Sequence, residues 1–318
     1  MLTVIIPAYN EEQMIPKTAR VISELLENEK IPNEILFVDD GSKDKTWLEI
    51  LKAGESYPNV GGISFSRNFG KEAAMMAGLK AAGGNCAVII DCDLQHPPVK
   101  IVDMYRLWEQ GYEVVEGVKA SRGKESGLHG FAAGTFYKII SKAVGIDMEN
   151  ASDFKLMDRK VIDILVSMPE RNAFFRALSS WVGFKTAQVE FDVQEREAGS
   201  TKWNTFKLTK YALTNIASFT SFPMQMVTVL GAMVFGFTVI AGIVLAVKAA
   251  AGAYIDLAAV AMLLIGLSSG IMMTGMGIMG YYIAKIYEEV KARPRYIVSH
   301  TARDGQLENQ EKSNPAGQ

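Results

Sequence analysis

The chain has 318 residues, a formal net charge of −2, and 49% hydrophobic residues. That length admits one sizeable domain with an appendage, or two domains, and the near-neutral balance gives no basic footprint of the kind nucleic acid requires. The two cysteines, Cys86 and Cys92, fall in and just after an apolar run, so a disulfide framework is not expected and a reducing compartment is favoured. No secretory leader is expected either, because the apolar run at residues 2–6 is too short for one.

Residues 2–6 read as a first strand ended by Pro7, after which Asn10 is placed to cap a helix with Glu11 and Glu12 in its first turn, running to about Asn28. A second strand at residues 34–38 ends in Asp39, Asp40 and Gly41. Ser42 or Asp44 can then cap a helix over 45–55. A third strand at 62–66, a polar turn with Arg67, Asn68 and Gly70, and a helix over 71–82 follow. Strands alternating with helices through short connections predict a parallel, right-handed α/β sheet. In the turn, Arg67, Asn68 and Lys71 suit phosphate contact or helix capping equally.

The next stretch, NCAVIIDCDLQHPP, carries the most chemistry. Residues 86–90 are uncharged and β-rich, as in a strand buried on both faces, and Asp91 and Asp93 stand at its carboxyl end. Ligands of open α/β sheets bind beyond such strand ends. With Gln95, three oxygen-bearing side chains can converge on a hard divalent cation, which suggests a metal-assisted nucleotide-sugar site. An Asp-X-Asp pair alone is also the pattern of an ordinary acidic turn. His96, before two prolines, is expected to pack against the turn.

A helix over 99–110, a strand over 113–118, a polar loop over 120–130 and a helix over 131–144 are expected next. Residues 151–157 read as extended, 160–167 as helical, 185–193 as a strand and 195–202 as a second polar loop. Residues 203–220 mix Trp, Tyr, Phe and Lys in the manner of a helix lying in a membrane interface, with an ordinary core helix as the alternative. Residues 218–247 and 257–284 contain no charge. Each exceeds the roughly 20 apolar residues that cross a bilayer, so two transmembrane helices in a hairpin are expected. Lys202, Lys207 and Lys210 before the pair, and Lys285, Lys291, Arg293 and Arg295 after it, outnumber Lys248 in the connector. The positive-inside rule then places the α/β domain and both termini in the cytoplasm, with the protein in the cell membrane. The expected organisation is therefore a catalytic domain at 1–202, an interfacial helix at 203–220, a transmembrane hairpin at 221–287 and a polar tail at 288–318 that is disordered from Ser299.

Together the motifs IIPAYNEE, VDDGSKDKT, SRNFGKE, DCDLQHPP, SDFKLMDRK and EREAGSTKW resemble the inverting family 2 glycosyltransferases of the GT-A fold. More narrowly, the chain is similar to the dolichol-phosphate mannose synthases and the bacterial polyprenyl-phosphate glucosyltransferases. The resemblance implies a Rossmann-like α/β domain with a mainly parallel sheet. It implies that Pro7, Tyr9, Glu11, Val38 and Asp40 hold the nucleotide base and ribose. Asp91, Cys92, Asp93 and Gln95 would meet the diphosphate and an Mg2+ or Mn2+ ion, with Asp91, Asp93 and Gln95 as the metal ligands. Lys119, Arg196 and Lys202 would meet phosphates, and Asp153 is the candidate catalytic carboxylate, beside Asp93 and Arg196.

Cys92 replaces the usual Ala of the mannose synthases, and Lys119 their Arg, which lacks the bidentate fork in its Lys form. The implied partners are a nucleoside-diphosphate sugar, a polyprenyl phosphate, the membrane and further copies of the chain, a tetramer being the first candidate. UDP-glucose and undecaprenyl phosphate are the substrates suggested by the bacterial branch. A processive polysaccharide synthase is the alternative enzyme, disfavoured by the missing Gln-X-X-Arg-Trp segment after Asp153. A catalytically silent nucleotide-binding scaffold is the alternative of another class.

Overall fold

A computed structural model describes residues 1–119, 152–168, 175–192, 257–303 and 306–307, with isolated positions between 240 and 251. The loop expected at 120–130, the helix at 131–144, the polar loop at 195–202 with Arg196 and Lys202, the interfacial helix and most of the first membrane segment lie outside the described residues. The chain divides into two compact units, Met1–Lys202 with Pro294–Gln318, and Trp203–Arg293.

In the first unit every residue of β1 (Leu2–Ala8) is buried, as suits a strand covered on both faces. α1 (Ile15–Asn28), β2 (Asn33–Asp39), α2 (Thr46–Ser56), β3 (Val60–Phe65), α3 (Lys71–Ala81) and β4 (Cys86–Ile89) follow in the expected alternation. β1 pairs in parallel with both β2 and β4, and β2 with β3. Residues 73–79 of α3 are all buried, consistent with a helix apolar all round. A Cβ on Gly78 would stand 2.3 Å from Cγ2 of Ile5, so the missing side chain is what lets α3 pass this close to β1.

The second half adds α4 (Val99–Glu109), β5 (Val114–Lys119), β6 (Lys155–Asp158), α5 (Arg159–Ser167), α6 (Phe175–Trp181) and β7 (Thr186–Phe191). After α7 (Leu257–Val290), which belongs to the second unit, the chain returns with β8 (Val298–Arg303) and β9 (Gln306–Leu307). Among the described residues the strands form one sheet in the order β7-β5-β6-β4-β1-β2-β3-β8-β9. Its centre is parallel. β6 runs antiparallel to both β4 and β5, and β8 antiparallel to β3.

Three expectations are corrected. β1 continues through Pro7 to Ala8. Residues 5 and 7 face the same side of the strand, and pairing with β4 ends where Ile5 O accepts from Ile90 N, so the missing N–H of Pro7 points where no ladder bond is required. Asn10 does not cap α1, which starts at Ile15 with Met14 at its N-cap and Pro16 in its first turn. Asn10 instead takes a left-handed φ of 54° and ties itself to the loop after β2, its N–H donating to Ser42 Oγ and its Oδ1 accepting from Lys43 N. The third correction concerns the tail: residues 298–303 are an ordered strand on the edge of the sheet. Alternating polar and apolar residues there read as solvated when taken alone, yet the free edge of β3 supplies the missing partner.

Among the described residues no helix is long and apolar enough to cross a membrane. The backbone of α7 is helical over 34 residues, its sequence carries no charge before Lys285, and only part of its side chains is described. The membrane reading of that segment therefore rests on its sequence.

Candidate active site

The carboxyl ends of β1, β2 and β4 open on one edge of the sheet, and β5, parallel to them through β6, ends there in Lys119. Because β6 is antiparallel, its start lies at the same edge, which brings Asp153 beside the end of β4.

Asp39 and Asp40 at the end of β2 do different things. Asp39 is buried and accepts from Ser64 Oγ at 2.8 Å and from Ser42 N at 2.9 Å, which fixes the turn. Asp40 accepts from Phe69 N at 2.7 Å and Gly70 N at 2.9 Å. Burial raises its carboxyl above the ordinary range, against the pull of those two amides. Asp40 is itself almost fully buried, and its carboxylate locks the loop before α3. Gly41 makes the lock possible: with φ at 65°, a Cβ there would stand 2.3 Å from the carbonyl carbon of Arg67. Glu11 N donates to Thr46 Oγ1 and Glu12 N to Asp44 Oδ2, so the turns after β1 and β2 are a single hydrogen-bonded block. Tyr9 and Glu11 are half-buried on it, and Pro7 and Val38 are buried behind it.

At the end of β4, Asp91 and Asp93 are half-buried on the crevice, and Leu94, with φ at 55°, turns the chain back so that Gln95 N reaches Asp93 Oδ1 at 3.2 Å. Cys92 is different: only 3% exposed, it belongs to the hydrophobic core, and its carbonyl accepts from Thr18 Oγ1. Burial pushes its thiol well above the usual range, so its side chain takes no part in the crevice. His96 stacks on Phe154 with centroids 5.0 Å apart and meets the Phe191 ring edge-on, as a packing histidine. Burial holds it neutral, and its Nδ1 lies 4.0 Å from Asp91 Oδ2.

The centre of the site is an ionic relay. Lys71 Nζ lies 2.6 Å from Asp91 Oδ1 and 2.9 Å from Asp153 Oδ2. Arg176 of α6 grips the other side of Asp153 through Nε at 2.7 Å and Nη2 at 3.2 Å. Burial alone would raise the Asp153 carboxyl, but Lys71 and Arg176 together hold it well below the usual carboxylate range. For Lys71 burial disfavours the ammonium, and the two carboxylates more than reverse that. Behind it, the fully buried Lys155 Nζ donates to Glu116 at 2.6 Å and to Ser179 Oγ at 2.8 Å. Glu72 Oε2 accepts from Phe175 N, so α6 is seated by both α3 and β6.

The crevice thus joins Tyr9, Glu11, Asp40, Asp91, Asp93, Gln95, Lys119 and Asp153 at one sheet edge. Arg176 was not singled out from sequence, because an isolated Arg inside RNAFFRALSSW has no local signal; only its partner across the fold reveals it. From sequence Lys71 suits a cap or a phosphate contact, and its pairing with two carboxylates requires the antiparallel placement of β6.

Residues 3–165 match the model of the family described as Glycosyl transferase family 2. An uncharacterized glycosyltransferase of Synechocystis is 39% identical over 306 residues, 94% of either chain. A prophage bactoprenol glucosyl transferase homolog of Escherichia coli is 38% identical, covering 93% of this chain and 98% of its own. The bactoprenol glucosyl transferase of Shigella phage SfII is 36% identical over 95% of this chain and 98% of its own. Among solved structures, glucosyl-3-phosphoglycerate synthase from Mycobacterium tuberculosis superposes with a TM-score of 0.49 at 20% identity, over 68% of this chain and 77% of that one. That likeness is too slight to carry a substrate or a metal across. A match over half the chain, near full-length relatives above 30% identity, and a crevice built on the matched strands agree: this chain belongs to glycosyl transferase family 2 and has its GT-A α/β fold.

Proposed function

We propose that the protein transfers a hexose, glucose from UDP-glucose, to a polyprenyl phosphate such as undecaprenyl phosphate, at the cytoplasmic surface of the membrane. The observation that carries the reading is the near full-length similarity to proteins named bactoprenol glucosyl transferase. It is supported by a crevice whose acidic and basic groups suit a diphosphate leaving group.

The donor set at the end of β4 fits a hard divalent cation. Asp91, whose Oδ1 also pairs with Lys71, and Asp93 are half-buried carboxylates, Gln95 adds an amide oxygen, and the only nearby thiol, Cys92, is turned into the core. Asp91, Asp93 and Gln95 would hold Mg2+ or Mn2+. When bound, such an ion neutralises the charge that develops on the leaving diphosphate. Tyr9 offers a face to the base, Asp40 an acceptor for a base N–H, and Lys119, Arg196 and Lys202 contribute cations toward phosphate. A phosphate oxygen of the acceptor forms the bond to the anomeric carbon, and the bond from that carbon to the diphosphate breaks with its electron pair. The acceptor is already an anion near neutral pH, so no proton must leave it. Asp153, held ionised by Lys71 and Arg176, therefore serves as a fixed anion that orients those cations rather than as a base. Attack opposite the leaving group converts an α-linked donor into a β-linked lipid phosphosugar.

The membrane anchor is part of the same proposal. Ile265, Met272, Met276, Met279, Ile283, Ile286 and Val290 of α7 recur at helical spacing, and each is at least half exposed. A stripe of that kind suits lipid, and the basic residues after it suit the cytoplasmic leaflet. The small residues of the hairpin would also permit a homo-oligomer.

The test uses membranes containing the full chain, radiolabelled UDP-glucose, undecaprenyl phosphate and Mg2+, with extraction of the lipid phase. Acid-labile label in the lipid that disappears in Asp93→Asn is the expected result. Absence of lipid label with every common UDP- or GDP-sugar, alongside measurable nucleotide binding, would instead favour the silent scaffold.

A further inference from the structure

The strand that follows α7 does more than complete the edge of the sheet. Tyr296, half-buried just before β8, stacks flat on Phe65 at the end of β3, with centroids 5.0 Å apart and planes 11° from parallel. Phe65 meets Phe69 edge-on at 5.8 Å, and Arg67 lies over the outer face of Phe69, its guanidinium carbon 4.9 Å from the ring centroid. Phe69 N is the donor 2.7 Å from Asp40 Oδ1. The backbone runs alongside: Ser66 N donates to Ile297 O at 3.0 Å, and the register between β3 and β8 shifts between Ser64 and Phe65, where the segment turns toward Tyr296. A continuous set of contacts therefore links the segment after α7 to the carboxylate at the end of β2. Within it, residues 66–68 are exposed, and the Phe65–Tyr296 stack adjoins them.

We propose that Tyr296 is a positioning residue for the donor nucleotide, acting through Phe65 and Phe69 on the orientation of Asp40. The inference rests on the donor-site reading above. A flat ring on Phe65 sets the plane that Phe65 holds in its edge contact with Phe69, and Phe69 carries the amide that holds Asp40. Loss of the ring loosens the carboxylate, while Asp153 keeps its grip from Arg176 and Asp93 its bond from Gln95 N. The C-terminal segment thereby belongs to the donor site although it follows the apolar helix in sequence.

The test compares full-length wild type, Tyr296→Phe and Tyr296→Leu in detergent, measuring UDP affinity by calorimetry and the KM for each substrate. Tyr296→Phe is expected to match wild type. Tyr296→Leu, which keeps apolar bulk but not the flat ring, is expected to weaken UDP binding and raise the donor KM by about five- to tenfold, with kcat and the acceptor KM unchanged. Unchanged UDP affinity in Tyr296→Leu overturns the inference. So does a fall in kcat with donor KM unaltered, which is the mark of a purely structural role. A wild type that fails to bind UDP at all overturns the donor-site reading itself, so the two failures are distinguishable.

Discussion

Lys71 Nζ stands 2.9 Å from Asp153 Oδ2, and the same carboxylate is held from its other side by Arg176. An anion clamped between two cations gives up its proton readily and takes one back poorly. A folded carboxyl depressed in this way contributes stability in full above its unfolded value, near pH 4, and loses it only as pH falls through the folded value. Asp153 is accordingly ionised throughout the working range. The rate profile between about pH 5 and pH 9 is expected to show no ionisation assignable to it. Asp153→Asn lowers the rate by a similar factor at every pH; an acidic limb in the wild-type profile that vanishes in Asp153→Asn, with the plateau lowered, would restore the general-base role.

Gly41 tests how tightly the two turns are bound together. Gly41→Ala forces a side chain into a left-handed position and against the Arg67 backbone. A loss of about 2 kcal/mol or more is expected, seen as a lower melting temperature, with a raised donor KM because Asp40 is the preceding residue. An unchanged melting temperature would mean that the turn can open without cost.

The buried Lys155 carries a prediction of different sign in combination. Lys155→Met leaves Glu116 without its ammonium partner, at a cost on the order of 3 kcal/mol. Adding Glu116→Gln is expected to recover much of that loss, because the uncompensated charge is then gone. Thermal melting of the single and double variants checks it, and a double variant no more stable than Lys155→Met would show that packing, not charge, dominates there.

Arg196 belongs to the polar stretch EREAGSTK that precedes residue 203 in the sequence, where the chain is proposed to meet the membrane. Arg196→Ala is expected to raise the KM for the lipid phosphate more than that for the nucleotide sugar. Steady-state kinetics with each substrate varied in turn would decide it, and equal effects would remove Arg196 from the acceptor side.

Much of the first half was legible in the sequence because its determinants are local. The continuous apolar run at β4 announces a strand buried on both faces, and carboxylates that follow an apolar run emerge at the strand's end, which places Asp40, Asp91 and Asp93 from the sequence. Direction in the sheet is not local. Nothing in SDFKLMDRK shows that β6 runs against β4, yet that reversal puts Asp153 between Lys71 and Arg176, residues separated from it by 82 and 23 positions. The same holds for β8, whose sequence is too polar to declare itself and which is ordered by the open edge of β3. The α/β alternation, the acidic strand ends and the long uncharged segments are written in the chain itself, because each depends on neighbours within a few residues. Which charges meet is fixed by the assembled fold, since ion pairing and strand direction are settled by which backbone edges remain free when the sheet assembles.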